Sequence, residues 1–99
     1  MTDFRKLARG QDCMVRLPGC DGGGETTVLA HYRMAGYSGM GIKTMSDLAT
    51  GAWACYHCHE LVDGRVKPES VGMTREQVRL AHAEGVMRSV MELSIRGVI

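Results

Sequence analysis

The stretch TTVLAHYR, residues 26–33, is rich in the β-branched and aromatic residues that strands favour, and successive side chains of a strand point alternately to its two faces. This alternation predicts a strand with two different faces, one of which carries Leu29, His31 and Arg33. The turn-like sequence DGGG precedes the strand at residues 21–24. We therefore predict that residues 14–17 pair with the strand as a hairpin around these glycines.

The pattern changes to helical spacing towards the end of the chain. Thr74 and Gln77 form a capping-box signal, which predicts that a helix covers residues 75–96. Its broad apolar face is made of Val86, Met87, Val90, Met91 and Leu93. We expect this face to pack against the rest of the domain or against the same helix of a second copy.

A shorter helix is predicted at CHELVD, opening at the cysteines of residues 55–58 and stopping near Gly64. The glycine-rich segment 34–45 is predicted to be a loop, and Ser46 is expected to cap a short helix that leads to Trp53. The chain therefore combines strand and helix in one small unit.

The size of the chain limits it to one domain, residues 1–99, because 99 residues cannot build a second core of useful size. A hydrophobic content of 44% indicates a folded protein, but only one Trp and one Phe are present. Small domains with such thin cores often depend on a metal ion or on disulfides.

The net charge of +1 neither requires nor excludes a nucleic-acid partner, so any attraction to DNA must come from a local basic patch. No secretory signal and no membrane-spanning run is found, and we expect a cytoplasmic protein. In that compartment clustered cysteines more often hold metal or carry out redox chemistry than form structural disulfides.

Four cysteines raise the question of which chemistry they support. The string CYHCH, residues 55–59, matches a haem-attachment signal, a redox dithiol and a zinc knuckle. Haem would leave Cys13 and Cys20 without a role, and no βαβ pattern surrounds the string as in thioredoxin-like proteins. A structural zinc ion bound by Cys13, Cys20, Cys55 and Cys58 uses all four, and it is our preferred interpretation.

A second candidate site lies within the same short helix. His59 and Asp63 are four residues apart, so both project from one helical face and could bind one divalent cation. His57, inside the knuckle, is expected to be a solvent-facing bystander, and His82 in the last helix is expected at the surface or an interface.

The strings CMVRLPGC, TTVLAHYR and ACYHCHELVDGR together resemble the HNH, or His-Me finger, nuclease motif. In more detail they are similar to the small phage and prophage nuclease-like proteins of the YbcO type, distant relatives of the NinG/Rap recombination proteins. The resemblance covers residues 13–65. It implies an α+β fold with a zinc-stabilised ββα-metal core, followed by the C-terminal amphipathic helix.

The resemblance also implies roles for individual residues. His31 corresponds to the general base, and His59 and Asp63 correspond to ligands of a catalytic divalent metal, which we expect to be Mg²⁺ or Mn²⁺. Arg33, on the same strand face as His31, is expected to clamp a phosphate oxygen, with Arg65 as a second phosphate contact. This sequence departs from the motif in having Ala30 where many members carry Asp or His, and in containing no Asn.

The implied function is a metal-dependent DNA endonuclease that acts in phage or prophage DNA recombination or processing, with branched duplex DNA as a candidate substrate. A non-catalytic, zinc-stabilised nucleic-acid-binding module is the alternative, and the two departures favour it. A third possibility is an interaction protein that dimerises through residues 75–96. A homodimer through this helix would also suit a nuclease that cuts two strands.

Overall fold

A two-stranded antiparallel sheet lies at the centre of the protein, whose computed structural model describes residues 3–33 and 51–98. One helix precedes the two strands and two helices follow them, which gives a small α+β fold. In chain order the elements are helix α1 (Phe4–Ala8), strands β1 (Val28–His31) and β2 (Gly51–Ala54), helix α2 (Tyr56–Asp63), a 3₁₀ turn (Pro68–Val71) and helix α3 (Arg75–Ile95). The predicted loop 34–45 and the helix cap at Ser46 fall outside the described residues.

Strand β1 forms where it was predicted, but its predicted partner was wrong. β1 pairs with β2, so that Leu29 lies opposite Trp53 and His31 opposite Gly51. The segment 14–17 cannot continue a strand because Arg16 has a φ of 60°, in the left-handed region. Instead, Met14 donates its N–H to the carbonyl of Trp53 at 2.7 Å, which places this segment beside the outer edge of β2.

The two faces of the sheet contact different parts of the core, as the alternation predicted. Ala30, with Ala52 and Ala54, packs into the larger cluster together with Cys58 and Leu61 of α2. Leu29 faces the other way and packs against the smaller cluster, which consists of Ala8, Trp53 and Leu93. The sheet therefore separates α2 on one side from α1 and the end of α3 on the other.

Helix α2 has the extent that the sequence predicted. Its N-cap is Cys55, whose Sγ accepts a hydrogen bond from the N–H of Cys58 at 3.4 Å. The helix ends at Gly64, which has a φ of 82°, a backbone conformation that glycine adopts without steric cost. The residue that caps the start of the helix is therefore also one of the four cysteines.

Helix α3 begins with the predicted capping box, in which Thr74 and Gln77 exchange hydrogen bonds. Its predicted apolar face was only partly right, because Met87 and Met91 are 65% and 62% exposed. The buried positions follow a helical period, but several of them are small or polar: Val78, His82, Gly85, Val86, Ser89 and Leu93. The prediction was right for Val86, Val90 and Leu93 but wrong for the two methionines, because hydrophobicity alone does not show which small and polar residues face the core.

Within residues 3–33 and 51–98, no helix has both the length and the apolar character needed to cross a membrane.

Candidate functional site

The four cysteines form one cluster, as the sequence predicted. The sulfur atoms of Cys13, Cys20, Cys55 and Cys58 all lie within 4.8 Å of one another. Two come from the loop before β1 and two from the start of α2, and all except Cys20 are fully buried. The cluster therefore fastens the N-terminal loop to the helix that carries the second candidate site.

Backbone amides surround the sulfurs. Leu17 donates its N–H to Cys58 Sγ, and Gly22 donates its N–H to Cys20 Sγ, both at 3.4 Å. Such hydrogen bonds stabilise negative charge on sulfur and hold the sulfur atoms in place. The local backbone is thus arranged for thiolates rather than for neutral thiols.

The four sulfurs cannot all carry negative charge without a cation. A hydrogen bond from Cys58 lowers the pKa of Cys13 to about 4. The same contact raises the pKa of Cys58 far above its usual range, and burial raises the pKa of Cys20 to about 11. A divalent ion bound by four thiolates removes this conflict, and the donor set fits a closed tetrahedral site for a metal such as zinc.

His57 has a structural contact rather than the bystander position that was expected. Its Nε2 donates to the carbonyl oxygen of Pro18 at 2.7 Å, across the gap between the two cysteine pairs. A Cβ atom at Gly19 would lie 2.7 Å from the same nitrogen. The imidazole thus connects the Pro18-Gly19 turn to α2 by a hydrogen bond.

His59 and Asp63 lie side by side on α2, as their spacing predicted. Nε2 of His59 is 3.2 Å from Oδ2 of Asp63, with side chains 25% and 29% exposed. Arg65 approaches the same carboxylate at 3.4 Å and also contacts Glu60 at 3.1 Å, which raises the pKa of the guanidinium. The pair offers one nitrogen and one oxygen to a cation, with an arginine beside it.

His31 is the last residue of β1 and is partly buried. By strand alternation its side chain leaves the sheet on the side of Leu29, whereas Ala30 and Tyr32 pack with the cluster that contains α2. Arg33 follows the strand and is exposed, and its main-chain carbonyl accepts a hydrogen bond from Arg79 at 3.4 Å.

His82 was expected at the surface or at an interface, but it is a buried residue of α3. Its Nε2 donates to the carbonyl oxygen of Ala30 at 2.9 Å. Burial lowers the pKa of the imidazole, and the hydrogen bond to Ala30 opposes this effect. His82 thus links α3 to the end of β1. Its sequence signal is its spacing, one helical turn from the buried residues Val78 and Val86.

Arg79 lies one turn before His82 on α3. Its guanidinium stacks on the ring of Tyr32 at 4.7 Å and donates to the tyrosine hydroxyl at 3.1 Å. Arg79 is exposed, as is Arg65, which contacts Asp63. A local basic surface of this kind suits an anionic partner despite the small net charge.

Comparison with known proteins covers nearly the whole chain. Residues 2–98 match the family model described as "Putative nuclease YbcO". The chain is 41% identical to proteins described as putative nuclease YbcO from Escherichia coli (strain K12) and from Enterobacteria phage 82, in each case over 100% of this chain and 98% of the relative. A solved structure titled "Structure of a putative bacteriophage protein from Escherichia coli str. K-12 substr. MG1655" shares 34% identity. It superimposes with a TM-score of 0.74 over 96% of this chain and 100% of its own length.

Proposed function

The chain belongs to the YbcO family of nuclease-like proteins, and we propose that it is a metal-dependent DNA endonuclease of the HNH type. The observation that carries this proposal is the contact between His59 and Asp63 on α2, the helix whose first turn joins the four-cysteine cluster. A metal-dependent nuclease needs a cation near the scissile phosphate, and this pair offers a nitrogen and a carboxylate oxygen for one.

The order of elements supports an HNH-type core. Two antiparallel strands, β1 and β2, are followed directly by α2, which is the ββα order of that motif. In the proposal the four cysteines hold a structural zinc ion, while His59 and Asp63 bind a second divalent cation, Mg²⁺ or Mn²⁺. The first ion would hold the start of the helix in place, and the second would supply positive charge to stabilise the phosphate and the leaving oxygen.

His31 is the proposed general base. Its imidazole would take a proton from a water molecule that attacks phosphorus, the P–O3′ bond would break, and the products would carry 5′-phosphate and 3′-hydroxyl ends. Arg33 and Arg65 would contact phosphate oxygens on either side. The proposed substrate is DNA, with branched duplexes in phage or prophage recombination as candidates.

One observation favours the second candidate function, a zinc-stabilised nucleic-acid-binding module. Strand alternation directs His31 away from the face on which Ala30 packs with α2, whereas a base needs to meet water beside the cation. Arg65, which contacts Asp63, and the exposed Arg33 and Arg79 could bind a phosphate backbone without any hydrolysis.

Cleavage of supercoiled DNA by zinc-loaded protein, with Mg²⁺ or Mn²⁺ added, tests the proposal. We expect His31→Ala to reduce cleavage by about 10²–10⁴-fold, the usual contribution of a general base. Asp63→Asn should abolish cation-dependent cleavage. Glu69→Gln, which removes an exposed carboxylate from the 3₁₀ turn, is the matched control and should cut normally.

Zinc content and thermal unfolding are measured for each variant, so that loss of fold is recognised. If His31→Ala cuts at the wild-type rate, the assignment of the base is wrong. If the wild-type protein binds DNA but does not nick it with any cation, the binding module is the correct function.

A further inference from the structure

We propose that Arg75 and Arg79 of α3 bind the phosphate backbone of duplex DNA, and that they join Arg33 and Arg65 into one row of positive charge. The inference rests on the proposed function, because it extends the DNA contact of that same site onto a third element. The nuclease motif ends at residue 65, so it includes neither arginine of α3.

Two contacts of α3 connect the predicted phosphate contacts, which lie at the ends of two different elements. Nη2 of Arg79 donates to the main-chain carbonyl of Arg33 at 3.4 Å. At the other end of the row, a Cβ atom at Gly64 would lie 3.4 Å from Nη1 of Arg75. The guanidinium of Arg75 therefore lies beside the residue that precedes Arg65, and α3 bridges the end of β1 and the end of α2.

The spacing of the two arginines on α3 suits a phosphate backbone. Arg75 and Arg79 are four residues apart in one helix, so they project from the same face. Four residues of an α-helix rise about 6 Å. One strand of a DNA duplex carries a negative charge about every 3.4 Å along the axis. The two guanidiniums can therefore contact phosphates that lie one or two positions apart in one strand.

The charge of both side chains is available to a partner. Arg75 and Arg79 are exposed, and in the part of the chain that the structure describes neither forms an ion pair. Glu76 follows Arg75, but one residue turns about 100° around the helix, away from the arginine face. Arg65, in contrast, is paired with Glu60 at 3.1 Å. The arginines of α3 therefore carry more of the uncompensated charge than Arg65 does.

Arg79 is also held in one orientation. Its guanidinium carbon lies 4.7 Å from the ring centre of Tyr32, and Nη2 donates to the tyrosine hydroxyl at 3.1 Å. Its two hydrogen bonds to described residues both use Nη2, so Nη1 and Nε can donate to a phosphate. A stacked, planar guanidinium loses little conformational freedom when it forms such bonds.

The salt dependence of DNA binding tests the row. Zinc-loaded full-length protein is titrated into a fluorescein-labelled duplex without Mg²⁺ or Mn²⁺, and fluorescence anisotropy gives the association constant between about 50 and 200 mM KCl. Each phosphate contact contributes about 0.9 to the slope of log K against log salt concentration. We expect Arg75→Gln and Arg79→Gln each to reduce the slope by about 0.9, and the double variant to reduce it by about 1.8.

Two further variants serve as controls, with zinc content and thermal unfolding recorded for all proteins. Arg9→Gln removes the same charge from an exposed position at the end of α1, on the other side of the sheet, and should keep the wild-type slope. Arg79→Lys keeps the charge but loses the planar group that stacks on Tyr32. It should also keep the slope, but bind the duplex about 2–5-fold more weakly, the contribution of an exposed stacked guanidinium.

An unchanged slope in both Arg75→Gln and Arg79→Gln overturns the inference, and so does an equal loss of slope in Arg9→Gln. The proposed function survives either result if the wild-type protein still cuts DNA with Mg²⁺ or Mn²⁺. If the wild-type protein does not bind the duplex with or without these ions, the inference and the proposed function fail together.

A measurement on the wild-type protein covers the case in which the substitutions unfold it. Phenylglyoxal modifies accessible guanidinium groups, and mass spectrometry identifies the modified residues with and without the duplex. The inference requires that DNA protects Arg75 and Arg79 but not Arg9. Equal modification of Arg75 and Arg79 in the two samples would overturn it.

Discussion

Gly19 lies in the loop between Cys13 and Cys20, and it packs against the imidazole of His57. It has a φ of 85°, and a Cβ there would come within 2.7 Å of Nε2 of His57, which is bonded to Pro18. A side chain at position 19 would therefore meet two separate obstacles. One is the strained backbone, and the other is displacement of the imidazole.

We expect Gly19→Ala to destabilise the zinc-loaded protein more than Gly22→Ala does. Gly22 has a similar φ of 89°, but a Cβ there would meet nothing within 4 Å, so its substitution measures the backbone strain alone, about 1–2 kcal/mol. The difference between the two variants should be about 1 kcal/mol, the contribution of the hydrogen bond from His57. Urea unfolding provides the measurement.

The combined variant Gly19→Ala with His57→Ala serves as the control. Without the imidazole the added methyl has no neighbour to displace, so the two substitutions should not be additive. Full additivity would show that the contact between these residues does not set the cost.

Individual site residues could be predicted where the distance between them along the sequence is typical of a metal site. Cys55 and Cys58 are a knuckle, and a tetrahedral ion needs two more thiolates, which only Cys13 and Cys20 supply. His82 could not be predicted in this way. Its importance comes from a contact with Ala30, 52 residues away in sequence, which depends on how α3 packs.

At the level of elements, strand β2 depends on α3 for its outer edge. The N–H of Trp53 donates to Oγ of Ser89 at 2.9 Å, and the same hydroxyl donates to the carbonyl of Gly85 at 2.8 Å. A two-stranded sheet has two open edges, and the serine satisfies a buried edge amide that has no third strand to bond.

Ser89→Ala is expected to destabilise the protein by about 1–3 kcal/mol, because the buried N–H of Trp53 would lose its acceptor. Ser70→Ala is the matched control, since its hydroxyl donates only to the exposed carbonyl of Lys67. The control should change the free energy of unfolding by less than about 0.5 kcal/mol. Equal effects in urea unfolding would mean that water replaces the serine at the edge of the sheet.

The helices were easier to predict than the second strand for a physical reason. α3 begins with the Thr74–Gln77 capping box and α2 ends at Gly64. Both signals act on residues that are neighbours in the sequence. β2 has the sequence GAWA and is buried at all four positions, so it shows no alternation. Without that signal, the hairpin partner of β1 was assigned to residues 14–17, which lie beside β2 rather than beside β1.

On the scale of the whole molecule, α3 leaves an apolar stripe on the surface. Met87, Met91 and Ile95 are exposed and follow one another at four-residue spacing, so they lie along one side of the helix. We propose that this stripe forms the twofold contact of a homodimer, which would place two copies of the site on one DNA duplex.

The dimer is tested by sedimentation equilibrium at micromolar concentration. We expect the wild type to associate and Met91→Glu to shift the population to monomer, because a charge in an apolar contact is costly. Tyr56→Glu, at an equally exposed position on α2, should leave the association unchanged. A wild-type monomer over the whole concentration range would contradict the proposal.

The contacts of α3 also constrain how the protein is made. Side chains of the helix form hydrogen bonds with segments that are synthesised much earlier. Arg88 bonds to the carbonyl of Met14, Ser89 to the N–H of Trp53, and His82 to the carbonyl of Ala30. None of these contacts can form until residues 75–95 have emerged from the ribosome. Cys13, Cys20, Cys55 and Cys58 all precede this helix in the chain, so we expect a nascent chain to be able to bind a metal ion before the contacts of α3 form.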